Sequence, residues 1–204
     1  MLGYYNYTVV LTYIGMLSGF AGTVCAAEGQ LCETLFCLLF AGFCDMFDGK
    51  IASTRERSEA EKRFGIQIDS LSDLICFGVL PGVTVWRMAG STLSLGIAGA
   101  YVLCALIRLA WFNVDEEARQ SAETGTRNTY RGLPVTTAAL ILPAVMALAV
   151  RRGAMPGLWG EAALCLMGAG FLTPFSLKKP QALGKLLLLV CGAAVLVLVA
   201  EVPL

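Results

Sequence analysis

The chain of 204 residues contains no histidine, which removes the side chain that most often ligates zinc or haem iron and most often moves a proton near neutral pH. Its eight cysteines (Cys25, Cys32, Cys37, Cys44, Cys76, Cys104, Cys165, Cys191) stand singly in apolar sequence with no CxxC pair. They read as small polarizable packing residues and not as a metal or redox framework. Any metal ion must then be a hard one held by oxygen. Charge is scarce too: only 15% of residues are Asp, Glu, Lys or Arg, and they sum to zero, so no basic footprint for nucleic acid is present. No cation precedes Lys50. A cleaved signal peptide begins with such cations, so the first apolar segment is expected to be retained.

Apolar residues are abundant. They make up 57% of the chain, with a mean hydropathy of +0.71, which describes an integral membrane protein. Runs long enough to cross a bilayer lie at 8–27, 31–52, 66–86, 91–112, 133–150, 156–175 and 183–201, predicting an all-α polytopic protein of six to seven transmembrane helices. Residues 1–204 read as a single membrane domain, with 183–201 as an addition to its core. With the N-terminus inside, twelve cations (Lys50, Arg55, Arg57, Lys62, Arg63, Arg108, Arg119, Arg127, Arg131, Lys178, Lys179, Lys185) fall on one side and three (Arg87, Arg151, Arg152) on the other. Loops rich in Lys and Arg stay cytoplasmic, which places the hydrophilic stretches 53–64 and 113–132 in the cytoplasm and favours anionic lipid headgroups there.

Against this background, "CDMFDGKIAS" at 44–53 is out of place. Asp45 and Asp48 are three residues apart near the end of the second span, and Asp69 and Asp73 are four apart in the third. Each pair shares a helix face, and a short connection makes the two helices antiparallel neighbours, so four carboxylates can converge at one depth. Clustered acids within a membrane are costly and repel one another; a bound divalent cation answers both penalties. Two other readings remain open: helix-end aspartates facing cytoplasmic water, and a proton or cation pathway. Gly49 and Ala52 leave one helix face bare beside the acids, and Gly65 opens the third span; close helix packing uses the same small residues.

The order Asp45-x-x-Asp48-Gly49-x-x-Ala52, then Gly65-x-x-x-Asp69-x-x-x-Asp73, resembles the signature of the CDP-alcohol phosphatidyltransferase family, D-x-x-D-G-x-x-A-R followed by G-x-x-x-D-x-x-x-D. Seven of its eight fixed positions are present. Ser53 stands where the family has arginine, and the spacer before Gly65 is longer than usual. The resemblance implies Mg²⁺ or Mn²⁺, two ions, on Asp45, Asp48, Asp69 and Asp73, with Asp73 as the base. It also implies CDP-diacylglycerol against Gly49, Ala52, Ser53 and Gly65. The arginine's contact with the diphosphate passes to another cation. Arg55 is the nearest, with Lys50, Arg57, Lys62 and Arg63 in the same loop.

"DSLSDLICFGVLP" (69–81), "IRLAWFN" (107–113) and "YRGLPV" (130–135) are similar to segments of the phosphatidylserine synthase branch, with Trp111 where arginine is usual. The implied reaction joins the hydroxyl of L-serine to the phosphatidyl group and releases CMP, in a homodimer whose site faces the cytoplasm of the cell membrane. Arg108, inside the fourth span, supplies a cation for the serine carboxylate, with Asn113 and Arg131 at the helix ends beside it; snorkelling to the headgroups is the alternative for Arg108. A glycerol phosphate or inositol phosphate acceptor, and a carboxylate-lined cation transporter, are the competing functions.

Overall fold

The computed structural model describes residues 3–122, 129–178 and 182–202. A 3-10 turn, Tyr7–Val9, leads into α1, Val10–Glu28. Gly29 ends α1 with φ 87 and turns the chain into α2, Leu31–Ala52, so the two helices pack as antiparallel neighbours. α3, Glu59–Asp73, runs without a break through a π-helical segment, Leu74–Val79, into α4, Leu80–Ala89. α5 spans Thr92–Ala122, α6 Ala138–Arg151, α7 Pro156–Leu172 and α8 Ala182–Ala200.

Among the described residues, three helices are long and apolar enough to cross a membrane: Tyr7–Glu28, Glu59–Ala89 and Thr92–Glu117. Val135–Arg151 and Leu187–Ala200 are shorter apolar helices. α2 is equally long, but Glu33, Asp45, Asp48 and Lys50 interrupt its apolar run. The protein is membrane-integral and helical, as its composition predicts. Its outer surface fits that setting: Leu17, Phe20, Phe40, Leu93, Leu103, Leu166 and Val197 all stand exposed, a covering that lipid accepts and water does not. Inside, Leu35, Leu38, Phe77, Leu80, Val85, Tyr101, Leu142, Met146 and Leu164 are fully buried in one continuous core.

Two boundaries depart from the hydropathy reading. α3 starts at Glu59 and not at 66, because Ser58 and Glu61 form a reciprocal capping box, Ser58 N–H donating to Glu61 Oε2 at 2.9 Å and Glu61 N–H to Ser58 Oγ at 3.2 Å. That motif starts a helix in polar sequence that a hydropathy window discards. Gly65 therefore lies inside the helix and does not open it. α5 likewise carries helix beyond 112 into the hydrophilic stretch, as far as Ala122. One feature outside the all-helical expectation is a small antiparallel pair, Thr129–Arg131 (β1) with Ser176–Lys178 (β2), Arg131 opposite Ser176.

The packing that matters for the site centres on α1. A Cβ added at Gly19 would lie 2.5 Å from Cys76 Sγ and 3.1 Å from Cys76 Cα, so only glycine lets α1 approach the π-helical segment this closely. Cys76 Sγ donates to Gly15 O at 3.4 Å and Ser72 Oγ to Thr12 O at 3.4 Å, which pins the C-terminal end of α3 to α1. α8 rests on α2 and α6, with Val195 and Val199 in the core and Cys32 Sγ directed at Val199 O. At the end of the bundle away from the aspartates, Arg87 donates to Ala27 O at 3.1 Å and Arg151 pairs with Glu201 at 3.3 Å.

Candidate active site

α2 and α3 meet with their acidic faces together. One carboxylate oxygen from each of Asp45, Asp48 and Asp69 lies within 4.8 Å of the others. Asp73, one turn further along α3, lines the same cavity with Thr12, Cys44, Ser72, Cys76 and Phe77. The space between these side chains measures about 10 Å³, on the scale of a single water or ion. The donor set is anionic oxygen throughout its convergent part, with spacing that a hard divalent ion can close by small side-chain rotations. The cluster can hold a metal ion.

A residue that the sequence reading did not single out completes this arrangement. Thr12 Oγ1 donates to Asp48 Oδ2 at 3.0 Å, and Thr12 is buried. Its hydroxyl fixes the rotamer of a candidate ligand, as outer partners of metal sites do. The available signal was a hydroxyl within an apolar span, but the contact depends on how α1 packs against α2, which no local pattern reveals. Thr12→Val keeps the shape and removes the hydrogen bond. It is expected to weaken Mn²⁺ binding about 10- to 100-fold, read by titration of the purified protein with the electron paramagnetic resonance signal of free Mn²⁺.

The rim beyond the C-terminal end of α2 is more specific than its sequence. Gly49 is exposed, and a Cβ placed there would meet nothing within 4 Å, so the backbone is open to a ligand on that face; Ala52, one turn on, is half-buried. Ser53 does not reach outward. Its hydroxyl donates to Lys50 O at 2.7 Å, and Thr54 Oγ1 to Ile51 O at 2.8 Å, so both hydroxyls cap the last carbonyls of α2. Arg55, itself exposed, lies 3.9 Å from the half-buried Glu61. Arg57, in contrast, is half-buried, and its Nη1 lies 3.1 Å from where a Cβ on Gly65 would stand. The missing side chain at Gly65 thus makes space for a guanidinium. An N-terminal strap closes this rim: Asn6 Nδ2 donates to Glu61 Oε1 at 2.9 Å, Tyr7 Oη and Thr54 Oγ1 lie 3.1 Å apart, and the Tyr4 ring packs edge-on against Phe64.

Arg108 is only 5% exposed, so it does not snorkel. Its Nε donates to Leu133 O at 3.3 Å, and its guanidinium lies 5.5 Å from the Trp111 ring and 5.7 Å from that of Phe112, a cation–π setting. Trp111, odd in the sequence, is thereby an aromatic wall for Arg108. Gly132, at φ 75, brings the "YRGLPV" turn against the same guanidinium, and a Cβ there would lie 3.1 Å from Thr173 O. Asn113 accepts from Ser70 Oγ at 2.9 Å, which ties α5 to the residue next to Asp69. The side chain of Arg131 lies outside the described residues; its backbone belongs to β1.

Comparison with known proteins accords with this geometry. The family model described as CDP-alcohol phosphatidyltransferase matches residues 5–174. The chain is 35% identical over 154 residues to a protein of Saccharomyces cerevisiae named CDP-diacylglycerol--serine O-phosphatidyltransferase, covering 69% of this chain and 54% of that one. It is 31% identical over 152 residues to a protein of the same name from Mycobacterium leprae, covering 73% and 48%. With an archaetidylserine synthase of Methanothermobacter thermautotrophicus it shares 30% identity over 135 residues, covering 65% and 54%. The chain spans about half the length of these relatives.

Proposed function

Since the chain belongs to the CDP-alcohol phosphatidyltransferase family, we propose that it transfers the phosphatidyl group of CDP-diacylglycerol to the hydroxyl of L-serine, giving phosphatidylserine and CMP. The observation that carries this reading is the convergence of Asp45, Asp48 and Asp69 within 4.8 Å on two adjacent membrane helices. A transporter would string its acids along a route across the bilayer; these are gathered at one face. Serine as acceptor is supported by the relatives' names.

In the reaction, serine's hydroxyl oxygen attacks the phosphorus that bears the lipid, and the bond from that phosphorus to the CMP oxygen breaks. Asp73 takes the hydroxyl proton, a role that suits a carboxylate on the wall of the cavity and outside the convergent set of three. Asp45, Asp48, Asp69 and Asp73 would hold Mg²⁺ or Mn²⁺, as two ions, which would supply positive charge to the diphosphate and its leaving oxygen. Gly49, Ala52 and Gly65 give the donor a bare surface, and the acyl chains stay in the bilayer. Arg108, Asn113 and Arg131 bind the serine zwitterion. The site faces the cytoplasm, the side on which the cations accumulate, in a homodimer whose residues 1–204 act as one domain.

The work of the family arginine, absent at Ser53, falls to the loop arginines, and burial separates them. Arg55 is occupied by Glu61, whereas Arg57 points over Gly65. Arg57→Ala is expected to raise the KM for CDP-diacylglycerol about tenfold, the cost of one charge-assisted contact, with the KM for serine nearly unchanged and Arg55→Ala weaker. A larger effect at Arg55 would return the role to the arginine nearest in sequence.

The reading is tested by incubating the purified protein with CDP-diacylglycerol, Mn²⁺ and a panel of alcohols, and measuring CMP. Release with serine alone supports it. Release with glycerol 3-phosphate or an inositol phosphate would move the chain to another branch of the family, and no release with any acceptor would defeat the enzymatic reading.

A further inference from the structure

The π-helical segment Leu74–Val79 begins at the residue after Asp73, and its cause is in the sequence. In an α-helix the carbonyl of Phe77 would accept from the N–H of residue 81, but residue 81 is proline, which has no N–H and whose ring crowds the carbonyl four residues back. The chain answers by widening: Leu80 N–H donates to Ile75 O, five residues back. The Phe77 carbonyl accepts its hydrogen bond from another helix. Tyr101 Oη of α5 donates to Phe77 O at 2.7 Å. Tyr101 is 2% exposed, and its ring packs against Phe171 with centroids 5.5 Å apart. On the opposite side, Ser72 and Cys76 are held to α1. The turn is therefore clamped between α1 and α5, with Asp73 and Phe77 both on the wall of the aspartate cavity.

We propose that Tyr101 is a positioning residue for this site: its hydroxyl, by holding the Phe77 carbonyl, keeps the π-turn open in the register that presents Asp73 to the cavity. A π-turn contains one residue more than the α-helix it interrupts. Closing it would rotate α3 relative to α4 by about 100°, one residue's turn of an α-helix, and carry Asp73 off the cavity wall. This inference rests on the reading that Asp73 belongs to the working site.

Tyr101→Phe removes the hydroxyl and keeps the ring. It is expected to lower kcat for CMP release about tenfold, the scale on which outer partners act, with both KM values within about twofold of wild type. Binding of Mn²⁺ gives a readout independent of turnover. Tyr101→Phe is expected to weaken it several-fold when Asp73 is present and to have no further effect in an Asp73→Asn background, because two groups acting through one site are not additive. Equal weakening in both backgrounds would make Tyr101 a general packing residue and overturn the proposal, as would no weakening in either.

Pro81→Ala approaches the same turn from the other side and guards against misfolding of the first variant. It restores an N–H for the Phe77 carbonyl, permits α geometry, and is expected to lower kcat and Mn²⁺ affinity while the thermal midpoint in detergent holds or rises. Wild-type kcat and Mn²⁺ affinity in Pro81→Ala would show that the π-turn does not set the site. If the wild-type protein releases no CMP with serine, the proposed function fails, and the Mn²⁺ measurements still decide the role of Tyr101.

Discussion

Asp45→Asn, Asp48→Asn and Asp69→Asn should each abolish CMP release and cost more in Mn²⁺ affinity than the roughly 10- to 100-fold expected for a partner outside the ligand set. Each change is nearly isosteric and removes one anionic oxygen from a group of three that lies within 4.8 Å, so the loss is of charge and not of shape. Asp73→Asn is expected to be equally inactive yet to keep more Mn²⁺ binding, since its carboxylate lies on the cavity wall outside that group. Electron paramagnetic resonance of added Mn²⁺, together with CMP release at saturating substrate, checks both halves. Full activity in any of the first three would remove the metal assignment, and equal Mn²⁺ loss in all four would make Asp73 chiefly a ligand.

The second large effect is expected at Arg108. A guanidinium buried to 5% exposure, held by the Leu133 carbonyl and walled by Trp111 and Phe112, is fixed in place, and a fixed planar cation suits a carboxylate. Arg108→Gln is expected to raise the KM for serine about 10- to 100-fold, the range of a hydrogen bond to a charged group. Arg108→Lys should do less harm, keeping the charge without the fork, and both variants should leave the KM for CDP-diacylglycerol nearly unchanged. Measured in membranes at matched protein levels, an unchanged serine KM in both variants would take Arg108 out of the acceptor site and leave it a structural link between α5 and the 130–135 turn.

The features that could be read from sequence were those with a local period. Apolar runs located the helices, and the three- and four-residue spacings of Asp45 with Asp48 and Asp69 with Asp73 placed each pair on one face. The early start of α3 was legible as well, in Ser58 and Glu61, but a hydropathy window weighs those residues as loop. What stayed hidden depends on contacts between distant segments. Thr12 reaches Asp48 across thirty-six residues, and Tyr101 reaches the Phe77 carbonyl across twenty-four. Nearness along the chain favours Arg55 as the substitute cation; the fold sets Arg55 3.9 Å from Glu61 of the α3 capping box and Arg57 against Gly65, a difference between the two that no local pattern shows. Pro81 carried the information for the π-turn, though the donor that completes it is on another helix.

In the proposed reaction serine's own hydroxyl oxygen becomes a phosphodiester oxygen of the lipid product, which isotope labelling can follow. Purified protein given Mn²⁺, CDP-diacylglycerol and L-serine labelled with ¹⁸O in its hydroxyl group should release CMP in step with a serine lipid that retains the label, as found by mass spectrometry. CMP released with phosphatidic acid and no labelled lipid would mean that water and not serine is the acceptor, and would overturn the proposed function.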